Sequence, residues 1–257
     1  MAATKAKQVR QYYRTLYRRW GPQHWWPAET RFEVIVGAYL TQNTAWTNVE
    51  LALSNLRAAG VLSLVGIRDI PLAALESLIR PSGYFRQKAQ RLKTFIAYLD
   101  TNYDGSLDQL FAQPIEKLRD ELLNLNGVGP ETADSILLYA GNYAVFVVDA
   151  YTRRILDRHQ ILPADAKYEV IRLFMERSLT PLAREHEKAF ATSTKKDPLE
   201  PGFRGAAHAP SAVSTAHRTA LVQVYNEMHG LIVGVGKHYC RKSKPDCEEC
   251  PLKPFLP

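Results

Sequence analysis

Apolar side chains recur three and four residues apart in almost every long segment of this chain, a period that suits helices. "RFEVIVGAYL" places apolar residues at 32, 34, 35, 36, 39 and 40, a broad buried face. "VELALSNLRAAG" carries a periodic leucine pattern stopped at Gly60, as a glycine just past a helix end would do. "QKAQRLKTFIAYLDTNY" sets basic residues opposite Leu92, Phe95, Ile96 and Leu99. "PIEKLRDELLNL" opens on Pro114, a good first-turn residue, and turns Leu118, Leu122, Leu123 and Leu125 inward. "YEVIRLFMERSL" and "ALVQVYNEMHGLIVGVGKHY" read the same way. Alternating strand patterns are scarce, and "AVFVV" is the single plausible β-run. An all-α fold is predicted.

With 257 residues and 46% hydrophobic content, the chain is long enough for one large domain or two modest ones. No stretch approaches the ~18 uninterrupted apolar residues of a membrane span. The opening "MAATKAKQVRQYYRTLYRRW" is basic but has no apolar core, so it does not read as a secretory signal. A formal charge of +7 and a pI near 9.3 favour an anionic partner, nucleic acid being the commonest. The three cysteines, Cys240, Cys247 and Cys250, all fall in the last eighteen residues. An odd, clustered set argues against a disulfide framework and for a metal site. One segment, residues 193–218, is rich in Pro, Gly, Ala and Ser and reads as a flexible surface insertion between two helices.

The chemistry concentrates in "LNGVGPETADSILLYAGNYAVFVVDAYTRRI", Leu125 to Ile155. Gly127 and Gly129 permit backbone angles closed to other residues and let the chain approach a ligand closely. Pro130 presets the first turn of the next helix, whose exposed N–H groups suit a phosphate oxygen. A plain helix–helix turn would carry the same G-x-G. Eighteen residues after Glu131 stands Asp149, directly behind an apolar run. It can be a helix N-cap, a carboxylate beside apolar walls that stabilises a cation or activates water, or both. Arg153, Arg154, Arg158 and His159 follow; they could hold Asp149 ionised, bind phosphate, or be solvated surface.

This stretch closely resembles the helix–hairpin–helix and Gly/Pro–Asp signature of the endonuclease III superfamily of DNA glycosylases. The likeness runs from about His24 to the C-terminus, interrupted by 193–218. It implies a two-lobed all-α fold, a hairpin (about 115–141) that grips the DNA backbone, and an essential catalytic aspartate at Asp149. Leu125, Gly127, Val128, Gly129, Thr132 and Arg153 become candidate DNA contacts. Gln42, in "TQNT", matches the residue that fills the gap left by a flipped nucleotide. The helical-barrel lobe is expected over 27–143, and the other lobe over 1–26 with 144–257, with DNA across the cleft between them. A monomer acting in the cytoplasm on damaged duplex DNA, with no membrane association, is expected.

Bifunctional members carry a lysine where this chain has Glu131, and that amine forms a Schiff base with the sugar. A carboxylate cannot, which argues for a monofunctional enzyme using water. Among subgroups, "HWWPAETRFEVIVGAYLTQNTAW" and "RPSGYFRQKAQRL" resemble the 3-methyladenine glycosylase branch, where Trp25, Trp26, Pro27 and the Trp46 position form the base pocket. Stacking on an electron-poor, cationic base and a carboxylate facing the sugar suit hydrolysis of alkylated purines. Without the resemblance, the two tryptophans read as helix-entry core. That branch places a pocket lysine near Leu231, so one contact is missing here. The rival readings are a glycosylase for oxidised pyrimidines or mismatched thymine, and a non-catalytic damaged-DNA-binding module.

The tail's C-x6-C-x2-C spacing is that of the endonuclease III iron–sulfur loop, but the fourth cysteine's position, after five more residues, holds Leu256. Thiolates bind these clusters in fours. A [4Fe-4S] cluster on three cysteines, a degenerate loop without metal, and a Cys₃His zinc site using His238 all stay open. Arg241, Lys242 and Lys244 could meet phosphates in each case.

Overall fold

The computed structural model describes residues 2–185 and 208–257, and every regular element among them is helical. The chain divides into two compact units, Met1–Pro27 with Asn142–Pro257, and Ala28–Gly141. The first unit opens with α1 (Ala2–Trp20). The second unit is inserted after it. It holds α2 (Arg31–Leu40), α3 (Trp46–Ala58), α4 (Leu64–Asp69), α5 (Leu72–Leu78), α6 (Phe85–Tyr103), α7 (Leu107–Leu110), α8 (Ile115–Leu123) and α9 (Pro130–Ser135), the last running into a π-turn at Ile136–Ala140. The first unit resumes with α10 (Ala150–Arg158), α11 (Tyr168–Leu179) and α12 (Ala220–His238). No described helix is long and apolar enough to cross a membrane.

In the inserted unit α2 is the central element, buried from Phe32 to Leu40 and packed on α3, α6 and the π-turn. Thr30 caps it by accepting from the Glu33 N–H at 3.1 Å. Leu92, Phe95, Ile96 and Leu99 are the buried face of α6, as their spacing predicts. Gly60, at φ +69°, follows the last residues of α3. In α8 the burial is narrower than the sequence pattern: Leu118 and Leu122 are buried, while Leu123 and Leu125 are half-exposed. Pro114 stands at the cap of that helix rather than within its first turn.

Two polar groups are folded into this core. The Lys88 ammonium, 1% exposed, donates to the Leu40 carbonyl (2.8 Å), Thr44 Oγ1 (2.7 Å) and the Ser82 carbonyl (2.7 Å). It thereby ties the end of α2 to the turn carrying Gln42 and to the start of α6. Burial, with Arg91 adding to it, lowers the Lys88 amine to about 8. Asp134, with no exposed surface, accepts two bonds from the Arg119 guanidinium at 2.7 and 3.2 Å, which joins α9 to α8.

In the first unit Val9, Tyr12, Tyr13, Leu16 and Trp20 form the inner face of α1, against α11 and α12. The apolar run before Asp149 is not a strand. Val145–Val148 has no regular secondary structure and is fully buried, and two of its N–H groups donate to side chains instead of a ladder: Phe146 N to Glu176 Oε1 (3.0 Å) and Val148 N to Tyr168 Oη (3.2 Å). Helices α10 and α12 approach closely at Gly236, where an added Cβ would lie 2.1 Å from the Tyr151 ring.

Of the predicted flexible insertion 193–218, residues 193–207 lie outside the described residues. The remainder, largely exposed, is tied to the fold at several points. His208 N donates to the Gln23 carbonyl (3.1 Å), Val213 and Ser214 are buried, and Arg218 donates to the Val213 carbonyl (2.5 Å). Small residues there permit a tight turn, Ser211 and Ser214 bonding each other.

Candidate active site and nucleic-acid interface

Asp149 is the N-cap of α10. Its Oδ1 accepts from Thr152 N (2.7 Å) and from Thr152 Oγ1 (2.8 Å), so the capping role read from the sequence is realised. The other oxygen, Oδ2, lies 3.6 Å from His229 Nε2 on α12. The residue is 9% exposed. Burial by itself would raise this carboxyl; His229 and the two Thr152 bonds outweigh it and hold Asp149 below the usual carboxylate range. The group is thus a charged carboxylate with one oxygen committed to the helix and the other turned towards an imidazole.

That imidazole belongs to an aromatic cluster. The His229 ring meets Trp25 edge-on at 6.2 Å and Phe146 at 6.4 Å. Trp25 also stands against Trp26 (5.9 Å) and His208 (5.3 Å). Trp25 and Trp26 are both buried and Pro27 is half-buried. The backbone entering the pair is held by Glu227, which accepts from Gln23 N at 2.7 Å and from Gln223 Nε2 at 2.7 Å. Burial raises Glu227 to about 7 against these bonds. Leu231, two residues past His229, is wholly buried. His229 was not singled out by its sequence context, since one histidine in an apolar helix looks like any core histidine.

The arginines after Asp149 do other work than the sequence suggested. Arg153 donates to the Ala164 (3.2 Å) and Ala166 (2.6 Å) carbonyls. Arg154 reaches the Cys240 carbonyl (2.6 Å), Arg158 the Cys240 sulfur (3.2 Å), and His159 Nδ1 lies 3.2 Å from the Phe255 carbonyl. Arg154, Arg158 and His159 fasten the C-terminal loop to α10, whereas the side chain that faces Asp149 Oδ2 comes from α12.

In the other unit the hairpin joins α8 to α9. Val128 N donates to the Leu125 carbonyl (3.0 Å), closing the turn, and Val128 is buried while Gly127 and Gly129 are exposed. Gly127 adopts φ +77°, and a Cβ there would lie 1.9 Å from Arg91 Nε. Gly129 caps α9 and Pro130 is its first residue. Gln42 is built into this structure: its amide donates to the Gly127 carbonyl (2.9 Å) and Thr132 Oγ1 (3.0 Å), and its carbonyl accepts from Arg91 (2.7 Å). Arg91, which sequence reading passed over as one of many basic residues on α6, therefore supports both the hairpin and Gln42. Glu131 is exposed in the first turn of α9, its carbonyl accepting from Ser135 Oγ (2.7 Å). Trp46 is half-buried at the start of α3, with its indole N–H on Glu50 (2.8 Å).

Cys240, Cys247 and Cys250 line one small cavity together with Arg158, His159 and Leu256. Leu256 thus brings an alkyl group where a fourth thiolate would be needed. Burial, and then the neighbouring thiols and Asp246, raise Cys250 to about 11. Among the described residues no group of three or more His, Cys, Asp and Glu side chains is placed to hold a metal ion. A four-thiolate cluster does not fit the residues present.

With this geometry in view, the likeness to known proteins has a physical content. The model of the HhH-GPD superfamily of base excision DNA repair proteins matches residues 36–181, which include the hairpin and Asp149. A Methanocaldococcus jannaschii protein, provisionally named a DNA repair glycosylase, is 38% identical over 99% of this chain and 98% of its own. The H. pylori 3-methyladenine DNA glycosylase bound to 1,N6-ethenoadenine superposes with a TM-score of 0.68 at 26% identity, covering 91% of this chain and 97% of that one. An endonuclease III trapped as a covalent intermediate on DNA shares the fold, with a TM-score of 0.67 at 20% identity over 98% of this chain and 95% of its own. The chain belongs to the HhH-GPD superfamily of base excision DNA repair proteins and is a DNA glycosylase of the endonuclease III-like kind.

Proposed function

We propose that this glycosylase is monofunctional and hydrolyses the N-glycosidic bond of alkylated purines such as 3-methyladenine in duplex DNA. The observation that carries the reading is Glu131, an exposed carboxylate in the first turn of α9 where bifunctional relatives present an amine. A carboxylate cannot condense with the sugar aldehyde, so no Schiff base forms at this position and water is the nucleophile. Asp149 supplies the negative charge that stabilises the electron-deficient sugar as the bond breaks, and orients the attacking water. N3-alkylation leaves the purine cationic and its bond weakened, so little acid catalysis is required, and an aromatic surface suffices to select it. Trp25 and Trp26, with Pro27, supply that surface in this reading. The 3-methyladenine glycosylase from H. pylori, at 26% identity, supports the substrate class.

Gly127, Val128 and Gly129 would present backbone N–H groups to phosphate, with Leu125 and Thr132 flanking them, while Gln42 occupies the space of the flipped nucleotide. Arg153 already donates to two backbone carbonyls, and so brings its positive charge to DNA binding with part of its donor set engaged. The enzyme acts as a monomer, and no chemical step in this scheme requires a metal.

Incubation with methylated duplex and chromatographic identification of the freed bases tests the substrate class; release of 3-methyladenine with an intact strand is expected. Thymine glycol and G·T duplexes provide the competing arms. Exclusive processing of those, or covalent capture of the protein on DNA by borohydride, would overturn the reading.

A further inference from the structure

We propose that His229 is the positioning residue for Asp149, holding the Oδ2 oxygen charged and in place beside the Trp25 cluster. The inference rests on the reading of Asp149 as the carboxylate that faces the sugar, and it concerns how that carboxylate is kept ready. Oδ1 is committed to the helix cap through Thr152, leaving Oδ2 as the working oxygen. His229 Nε2 stands 3.6 Å from it. The imidazole has little freedom to swing away, with Trp25 on one side and Phe146 on another, both edge-on.

The helix that carries it is seated in the same way. At Gly230 a Cβ would lie 3.0 Å from Gln23 Cβ and 3.2 Å from Trp25 Cβ, and at Gly236 it would overlap the Tyr151 ring of α10. Helix α12 therefore keeps a fixed register against both the tryptophan segment and the helix that Asp149 caps. The distance from imidazole to carboxylate follows from these close backbone approaches.

No other charged group of the surrounding elements takes this place. On α10, Arg153 and Arg154 are spent on the carbonyls of Ala166 and Cys240, and Arg158 reaches the Cys240 sulfur. On α11, Arg172 is paired with Glu169 and Glu176. On α12 itself, Glu227 is bonded to Gln23 N and Gln223. From α1 come Tyr13 and Tyr17, both raised by burial and so neutral; His208 packs on Trp25 from the 208–218 turn. Among the described residues His229 is the group at ion-pairing distance from Asp149. Without it, burial acts on the carboxyl with only Thr152 to oppose it, and the acid form gains.

The test compares wild type, His229→Phe, His229→Gln and Asp149→Asn in single-turnover base release from methylated duplex DNA, from about pH 3 to about pH 8. His229→Phe should move the acid limb of the rate profile upward, with an about five- to tenfold loss near pH 3 and little change near pH 8. His229→Gln, whose amide N–H can stand near the Nε2 position, should restore most of the low-pH rate. A loss equal at every pH that Gln does not rescue would show packing alone and overturn the proposal, as would an unchanged profile in the Phe variant.

Acid unfolding gives a second readout that needs no substrate. His229→Phe should be less stable than wild type near neutral pH, and this deficit should shrink as pH falls through the range where Asp149 takes up its proton; that pH dependence should be absent in the Asp149→Asn background. A pH dependence that persists there rejects the coupling. Asp149→Asn also separates the two readings: if it still releases bases, the assignment of Asp149 fails. If Asp149→Asn is inactive and the His229→Phe profile is unmoved, the positioning role alone fails.

Discussion

Gly127→Ala is the sharpest perturbation of the hairpin. At φ +77° an alanine sits in the left-handed region, which costs about 1–2 kcal/mol relative to glycine. Its methyl would also lie 1.9 Å from Arg91 Nε, so the guanidinium must leave. Arg91 then loses its 2.7 Å bond to Gln42, a partly exposed charge-assisted contact worth about 1 kcal/mol. The sum, about 2–3 kcal/mol, should appear in urea as a midpoint lowered by about 1 M at a slope near ~3 kcal/mol/M. Because Gln42 also bonds the Gly127 carbonyl and Thr132, the displaced turn should weaken binding to a duplex by about tenfold, read by fluorescence anisotropy at fixed salt. Repeating the substitution in Arg91→Ala removes the overlap and leaves the backbone strain, so there its cost should fall to about 1–2 kcal/mol. An equal cost in both backgrounds would refute the coupling through Arg91. A cost below about 0.5 kcal/mol in wild type would refute the strain argument as well.

Asp149→Asn should lower base release by about 10³-fold, from the loss of about 4 kcal/mol of charge stabilisation at an effective dielectric near 20, while thermal denaturation shows the fold retained. Asn still caps α10; Asp149→Ala should be less stable than the Asn variant by about 1 kcal/mol. Glu227 is raised to about 7 in the folded chain from an ordinary 4.5, so the native state binds that proton more tightly. Its contribution to stability is full below about 4.5 and is lost as pH rises through about 7, with a slope of up to about 1.4 kcal/mol per pH unit. Denaturation midpoints of wild type and Glu227→Gln across that window should show the slope only in wild type. Arg119→Ala strands the fully buried Asp134 without its guanidinium and should cost about 3–5 kcal/mol by urea titration; a loss below about 1 kcal/mol would mean Asp134 finds other compensation.

Much of this was legible along the chain because it depends on local spacing. The amphipathic period marked α2, α6 and α12, and Gly60 and Pro130 marked where helices stop and start. The hairpin was legible too, since a positive φ at Gly127 is a requirement on one residue and its neighbours. The capping role of Asp149 likewise involves a partner only three positions on.

What the chain could not announce were pairings between distant segments. His229 stands beside Asp149 across eighty positions, and nothing in "EMHGLIVGVG" distinguishes it from a packed core histidine. For Arg154 and Arg158 a partner for Asp149, a phosphate site and solvated surface all stayed open because charge alone was visible, whereas tertiary structure spends them on the C-terminal loop. Val145–Val148 looked like a strand because four consecutive β-formers satisfy that pattern equally well when buried on all sides as a coil. A side chain's type and its near neighbours determine which conformation is permitted. Which charge meets which partner is decided only when the folded chain removes both from water, and desolvation makes a carboxylate such as Asp149 depend on whatever group is then within reach.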